Sequence, residues 1–332
     1  MVKQSDLPFR TLTHRYGATL TYTQMLQPEE LVNNGDYLDF HLRDLQSRPK
    51  EHKVVVQLCG NDVETVVSGA KKIAGYCDGV DLNLGCPQDA AREGHYGAYL
   101  LGEKDWPVVE NIVVSALSHS LPVPVSAKIR LCQPLDRTPI LGQRLEAAGA
   151  AWLTLHARTV SARRRRAGSA DLAQVALLKS TVSTPVISNG NVRNHADIQA
   201  NLDFTGADGI MVGEPLLGNP QLFSCSAPEH PDPIAVALEY LDICREYEET
   251  VTIGMVQTHV RHFVEQHSFA RRPWYQKSFR PALAACKDID AVEHLLRVKV
   301  HRWAGRKPHT KDGQGSGEID SLVVGLEGIE LF

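Results

Sequence analysis

Between Thr19 and Val212, short runs rich in β-branched and other apolar residues alternate with longer stretches whose apolar residues recur at helical spacing. The short runs are Thr19 to Thr23, Lys53 to Leu58, Gly79 to Leu84, Val123 to Ile129, Ala151 to His156, Pro185 to Ser188 and Asp208 to Val212. Stretches such as Val63 to Tyr76 and Leu141 to Gly149 read as helices stopped by glycine. This alternation predicts parallel strands covered by helices, an α/β fold of the (β/α)8 TIM-barrel type with its first strand truncated. Ser5 reads as a helix N-cap with Pro8 in the first turn, so the missing strand would precede it, where only Met1 to Gln4 stand.

Polar residues gather where the runs end. Gln57 closes Val54-Val55-Val56, Asn83 and Cys86 close the next run, Lys128 and Arg130 follow Val125-Ser126-Ala127, and His156 and Arg158 follow Leu153-Thr154-Leu155. In a barrel, the C-terminal ends of the strands build the active site. Gly85 and Pro87 force a turn around the Cys86 thiol and place it on a strand-end loop. The competing reading for Cys86 is a small side chain filling core space, the commoner fate of a free cysteine. Ser188-Asn189-Gly190-Asn191 and Gly213-Glu214 follow the sixth and seventh runs, where barrels cradle a phosphate with backbone N–H groups. Taken alone, Asn-Gly-Asn reads first as a simple turn.

Composition narrows the class. The chain has 332 residues, 43% hydrophobic and 22% charged, enough for one barrel of about 250 residues plus an appendage. No apolar run approaches the roughly 18 to 20 residues needed to span a bilayer, and the N-terminus lacks signal-peptide regions. A cytoplasmic protein, or a nuclear one, is expected. Seven cysteines are scattered without a CxxC pair, so neither a disulfide framework nor a metal site is indicated.

At this point Asp81-Leu82-Asn83-Leu84-Gly85-Cys86-Pro87-Gln88 and Gly94-His95-Tyr96-Gly97-Ala98-Tyr99-Leu100 resemble the active-site signature of the flavin-dependent tRNA dihydrouridine synthases. The resemblance extends, in the family's order, through Ser5-Asp6-Leu7-Pro8-Phe9-Arg10, Lys128-Ile129-Arg130, His156-Ala157-Arg158-Thr159, Asn189-Gly190-Asn191 and Gly213 to Pro220. It covers residue 1 to about residue 305. The Gly-His-Tyr-Gly form, with Glu214 where many relatives carry arginine, is most similar to the eukaryotic branch that modifies positions 16 and 17 of the tRNA D-loop.

The resemblance implies FMN as cofactor and NADPH or NADH as reductant. It implies hydride transfer to C6 of a uridine and protonation of C5 by Cys86, a role suited to a thiol whose ordinary pKa of about 8.5 leaves it mostly protonated at neutrality. Lys128 and His156 would then contact the flavin, and Gln57 and Asn83 would hydrogen-bond the ring or the substrate base. Backbone groups at Asn189, Gly190, Asn191, Gly213 and Glu214 would hold the phosphate.

A uridine in folded tRNA must leave its stack to reach such a site, so the surrounding RNA has to be gripped. Net charge is only −4, but Met255 to Lys311 carries 12 basic against 4 acidic residues, a local +8 that leaves −12 for the rest. This segment includes Arg271-Arg272-Pro273-Trp274-Tyr275, aromatic rings beside guanidinium groups. A charged helix alone is usually a solvated face; joined to the resemblance, the segment reads as a helical tRNA-binding domain. The organisation expected is a barrel over 1–228, a helical domain over 229–306, and a linker and poorly ordered tail over 307–332. Arg158, Arg271, Arg272, Lys277 and Arg280 are the residues expected to meet tRNA, and Arg163 to Arg166 could meet phosphates.

Three departures from the family pattern stand out. The opening strand with its Ala-Pro-Met segment is absent, from which a late start of the sequence is expected; Gln24 replaces a common proline; and Ser161 to Ser169 is altered. Two other functions fit the same residues: an FMN barrel acting on a free pyrimidine or small enone, and a non-catalytic tRNA-binding relative.

Overall fold

The computed structural model describes residues 4–112, 119–161, 169–227, 231–266 and 275–304. Seven parallel strands form one sheet in sequence order: β1 Leu20–Leu26, β2 Lys53–Leu58, β3 Gly79–Leu84, β4 Val125–Arg130, β5 Leu153–His156, β6 Val186–Asn189 and β7 Gly209–Met211. Parallel neighbours need a crossover. The helices Val63–Ile73, Arg137–Ala147, Leu172–Thr181 and Ala196–Thr205 supply those after β2, β4, β5 and β6. The sheet curls as a half-barrel of TIM-barrel type, as expected from the alternation of patterns. β2 and β3 have the predicted bounds. β4 begins two residues late, because Pro124 has no N–H for the ladder.

The two faces of the sheet differ in chemistry. Val54, Val56, Leu58, Val80, Leu82, Leu84, Ala127, Ile129, Leu153, Leu155 and Val186 belong to the main apolar core, with Val66, Ile73, Leu141, Leu145 and Leu178 from the covering helices. Alternation along the strands puts Gln57, Asp81, Asn83, Ser126, Lys128 and His156 on the opposite, inner face. The floor of that face is packed: the Trp152 indole donates Nε1–H to the Tyr22 hydroxyl at 2.8 Å, and a Cβ at Gly79 would lie 3.0 Å from the Trp152 ring.

A second apolar core joins Phe9 and Leu12 to Leu216, Leu217 and Leu222, and to helices after residue 233 through Val236, Tyr240, Val260, Phe263, Phe279 and Leu296. The first helix, Leu7–Arg15, is capped by Asp6 rather than by Ser5: the Asp6 carboxylate accepts the Phe9 N–H at 2.8 Å, while Ser5 Oγ donates to the Tyr22 carbonyl. Asp6 also accepts from Tyr240 Oη at 3.1 Å and lies 3.0 Å from His259 Nε2. One residue thus caps a barrel helix and ties it to Pro233–Glu246 and Ile253–Gln266. Next to it, Arg10 pairs with Asp44, which also accepts the Leu7 N–H at 3.0 Å. Among the described residues no helix is long and apolar enough to cross a membrane.

Candidate active site

Strand register brings the sequence-predicted residues together at one end of the inner face. Gln57 lies opposite Asp81, Asn83 opposite Lys128, Arg130 opposite His156, and His156 opposite Asn189. All but Asp81, which sits mid-strand in β3, are at or near the C-terminal ends of their strands, and the Cys86 turn leaves β3 at the same end.

That turn is tied down on three sides. Asn83 Oδ1 accepts the backbone N–H of Gly85 at 3.0 Å and of Cys86 at 2.8 Å. Arg130 donates Nε–H to the Gly85 carbonyl at 2.7 Å and an Nη1–H to the Thr159 carbonyl at 3.1 Å, linking the loops after β3 and β5. From above, Ala98 N–H donates to the Cys86 carbonyl at 3.0 Å, an approach that Gly97 permits with φ +64°. Cys86 is 9% exposed and belongs to neither apolar core. Its thiol is within electrostatic reach of Lys128, Arg130, Cys59 and Tyr96.

Asn83 is itself held from below. Its Nδ2 donates to Gln57 Oε1 at 2.9 Å, Gln57 Nε2 donates to Asp81 Oδ2 at 2.8 Å, and Ser126 Oγ donates to Asp81 Oδ1 at 2.6 Å. Each amide has two N–H groups, so one N–H of Gln57 and one of Asn83 are left over by these bonds.

The site is strongly cationic. Burial pushes the Lys128 ammonium down to about 8, with Arg130 adding to the shift and Asp81 opposing it. Burial and then Lys128, Arg130 and Arg158 push His156 down to about 2, so its imidazole is neutral at physiological pH. Asp81, the facing carboxylate, is raised to about 6 by burial against the pull of Ser126, Gln57 and Lys128. Among the described residues Lys128 forms no ion pair, and Arg158 Nε is buried without a partner. A half-buried ammonium without an ion pair and an orphaned guanidinium N–H fit an electron-rich or anionic ligand.

At the proposed phosphate end, the side chains serve the fold. Asn189 Nδ2 donates to the Met211 carbonyl at 2.8 Å, and Asn191, at φ +58°, bonds the Ala170 N–H and carbonyl at 2.7 and 2.8 Å. Gly190 has φ +138°, and a Cβ there would lie 2.6 Å from Ala170 Cβ. Gly213 leads into the short helix Glu214–Gly218 after β7, beside the β6 turn. What these positions can offer a phosphate is backbone.

The expected RNA-contacting residues fall in different settings. Arg158 lies at the mouth. Lys277 is exposed on Gln276–Ala285, whereas Arg280 on the same helix forms a two-pronged pair with Glu265, both bonds 2.6 Å. Arg271, Arg272, Arg163 to Arg166 and the 307–332 tail lie outside the described residues. A cavity of about 10 Å³ beside Arg10 and Asp44 and a depression of about 270 Å³ bounded by Arg245, Glu248 and Asp288 do not touch Cys86. Register and side-chain chemistry identify the site. Sequence reasoning assigned no role to Asp81 or Ser126, although Asp81 stands two residues before Asn83 and therefore on the same strand face.

The chain is 35% identical over 315 residues to the tRNA-dihydrouridine(16/17) synthase [NAD(P)(+)]-like protein of Mus musculus, covering 92% of this chain and 62% of that one. It is 34% identical over 257 residues to the tRNA-dihydrouridine(16/17) synthase [NAD(P)(+)] of Saccharomyces cerevisiae, covering 75% of this chain and 60% of that one. It thus spans about three-fifths of the length of these two relatives. Among solved structures, the old yellow enzyme from Trypanosoma cruzi superposes with a TM-score of 0.51 at 13% identity, over 72% of this chain and 88% of that one, a likeness of fold. Residues 1–304 match the family model described as dihydrouridine synthase, and with that extent and these relatives the chain belongs to the dihydrouridine synthase family.

Proposed function

We propose that this chain reduces the C5–C6 double bond of uridine in tRNA to dihydrouridine, using FMN and a nicotinamide coenzyme, and that its targets are positions 16 and 17 of the D-loop. The observation that carries this reading is the β3–β4–β5 register, which sets Cys86, Lys128 and His156 around one mouth on adjacent strands. Support for positions 16 and 17 comes from the names of relatives at 34–35% identity.

The residues present fit FMN. Lys128, without an ion pair among the described residues, would face the electron-rich edge of the ring, neutral His156 would hydrogen-bond beside it, and the spare amide N–H groups of Gln57 and Asn83 would meet ring or base oxygens. Bound there, FMN would supply hydride for C6 of the uracil ring after reduction by NADH or NADPH. Cys86 would hold at Sγ the proton that C5 receives, and the Asn83, Arg130 and Gly97 contacts keep that sulfur in place. Arg158, with its Nε unpartnered, would meet a phosphate beside the flipped nucleotide. The helical layer after residue 233 would hold the tRNA body, Lys277 contributing an exposed charge.

The test is reconstitution with FMN and NADPH or NADH on unmodified tRNA, with dihydrouridine mapped by mass spectrometry. Product at positions 16 and 17 is expected, and Cys86→Ala should bind FMN yet lose most turnover. A flavin-loaded protein that forms no dihydrouridine in any tRNA would overturn the reading.

A further inference from the structure

We infer that Asp81 is a positioning residue for the proposed reaction, fixing the amide orientations of Gln57 and Asn83 and, through them, the turn that carries Cys86. This deepens the proposed function and rests on it where turnover is concerned.

The argument is one of hydrogen-bond direction. At the upper end, the partners of Asn83 Oδ1 are the backbone N–H groups of Gly85 and Cys86, which can only donate. Asn83 must therefore point its oxygen at the turn and its nitrogen at Gln57. Gln57 must answer with its oxygen, at 2.9 Å, which leaves its nitrogen pointing down. Whatever lies below has to accept. Asp81 Oδ2 does so at 2.8 Å, and a carboxylate oxygen offers no competing donor there. Were Asp81 replaced by an apolar side chain, Gln57 Nε2 would lose its acceptor inside the barrel, a cost that amide rotation could relieve only by reversing every bond up to the Cys86 turn.

The location supports the inference. Asp81 is 0% exposed and stands on the inner face directly across from Gln57 in the β2–β3 register. It meets no guanidinium or ammonium within ion-pair distance among the described residues, so its partners are the Ser126 hydroxyl and the Gln57 amide. A buried carboxylate held by two neutral donors is expensive to keep, which fits a role that an apolar residue could not fill.

The experiment compares Asp81→Asn, Asp81→Leu and Ser126→Ala in the flavin-loaded protein. Two readouts are taken: turnover on tRNA, split into kcat and KM, and the iodoacetamide labelling rate of Cys86, resolved from the other six cysteines by peptide mapping. Asparagine can present Oδ1 to Gln57 and its nitrogen to Ser126, so Asp81→Asn should keep both readouts within about threefold of the parent. Asp81→Leu should raise Cys86 labelling by roughly tenfold and lower kcat by a similar factor with KM for tRNA little changed, as a lost buried hydrogen bond predicts. Ser126→Ala, which leaves the relay intact, should label at the parent rate. If Asp81→Leu does not fold, Gln57→Leu cuts the same relay at its next link and should give the same labelling increase.

Parent-rate labelling in both Leu variants would sink the inference, as would Asp81→Asn behaving like Asp81→Leu. A relay signature in the labelling, with no dihydrouridine made by the parent protein, would leave the inference standing and remove the proposed function instead.

Discussion

Arg130 reaches from the end of β4 to the carbonyl of Gly85, with 2.7 Å between its Nε and that oxygen, and so holds the residue immediately before Cys86. Its Nη1 holds Thr159 in the loop after β5. A guanidinium that bridges two loops restrains both, and each bond from a charged donor is worth about 1.5–3 kcal/mol. Arg130→Met should release the turn: turnover is expected to fall roughly tenfold to a hundredfold while FMN still binds. Arg130→Lys, a point charge without the fork, should recover only part of the loss. Single-turnover kinetics on tRNA together with an FMN titration check this, and parent kinetics in Arg130→Met would contradict it.

With FMN bound as proposed, Lys128 predicts a pH dependence of flavin affinity. Its ammonium, pushed down to about 8, is charged below that pH and neutral above it, and an electron-rich ligand stabilises the charged form. Binding therefore takes up a proton as pH rises past 8. Affinity should be full below that value and weaken by at most about tenfold per pH unit above it. Arg130, His156, Asp81 and Cys86 face the same space; His156, pushed down to about 2, and Asp81, raised to about 6, complete their titration below this window. Fluorescence titrations of FMN between pH 7.5 and 9 should show the decline in the parent and a flat, weaker profile in Lys128→Met.

The buried Arg10–Asp44 pair predicts a large stability loss that acid partly repairs. Removing one partner of such a pair leaves an uncompensated charge, at a cost of about 3–5 kcal/mol. Asp44 is already raised by burial, with Arg10 the main opposing influence, so Arg10→Met should raise it further. A carboxyl raised in the folded state is destabilising where the unfolded chain is ionised, above about 3.9, and the penalty fades as pH falls through the folded value. Urea unfolding of Arg10→Met should show a smaller deficit at pH 5 than at pH 7.5. An equal deficit at both would assign the loss to packing instead.

The strands were legible because their periodicity and β-branched content are local properties, and β2 and β3 fall where the pattern puts them. Cys86, Lys128 and His156 were legible as strand-end residues. Asp81 was not, since its partners Gln57 and Ser126 are 24 and 45 residues away and only register brings them to it. The same limit applies to the first helix cap. Ser5 and Asp6 are both good cap residues, and the choice of Asp6 is tied to Tyr240, 234 residues on. Asn191 read as a turn residue, while its amide is engaged by Ala170, 21 residues earlier. Arg280 reads as a residue expected to meet tRNA, and its pairing with Glu265 on the preceding helix is set by packing that the sequence does not display.

Gly97 and Gly206 separate backbone strain from contact with Cys86. Both have φ +64°, where an L side chain costs about 1–2 kcal/mol, so the conformational penalty of an alanine should be nearly equal at the two. Around Gly206 a Cβ meets nothing within 4 Å, whereas at Gly97 it would lie 2.8 Å from the Cys86 carbonyl oxygen and 3.1 Å from Cys86 Cβ. Those are rigid atoms of the turn itself, so Gly97→Ala must displace the residue proposed to carry the proton. Gly206→Ala is expected to lower stability by about 1–2 kcal/mol and leave kcat within about twofold of the parent. Gly97→Ala should lose more stability and, at a temperature where both variants remain folded, reduce tRNA turnover by at least tenfold with FMN affinity little changed. Thermal unfolding measured beside turnover gives the comparison, and equal kcat values for the two variants would show that the Gly97 approach to Cys86 does not matter to the reaction.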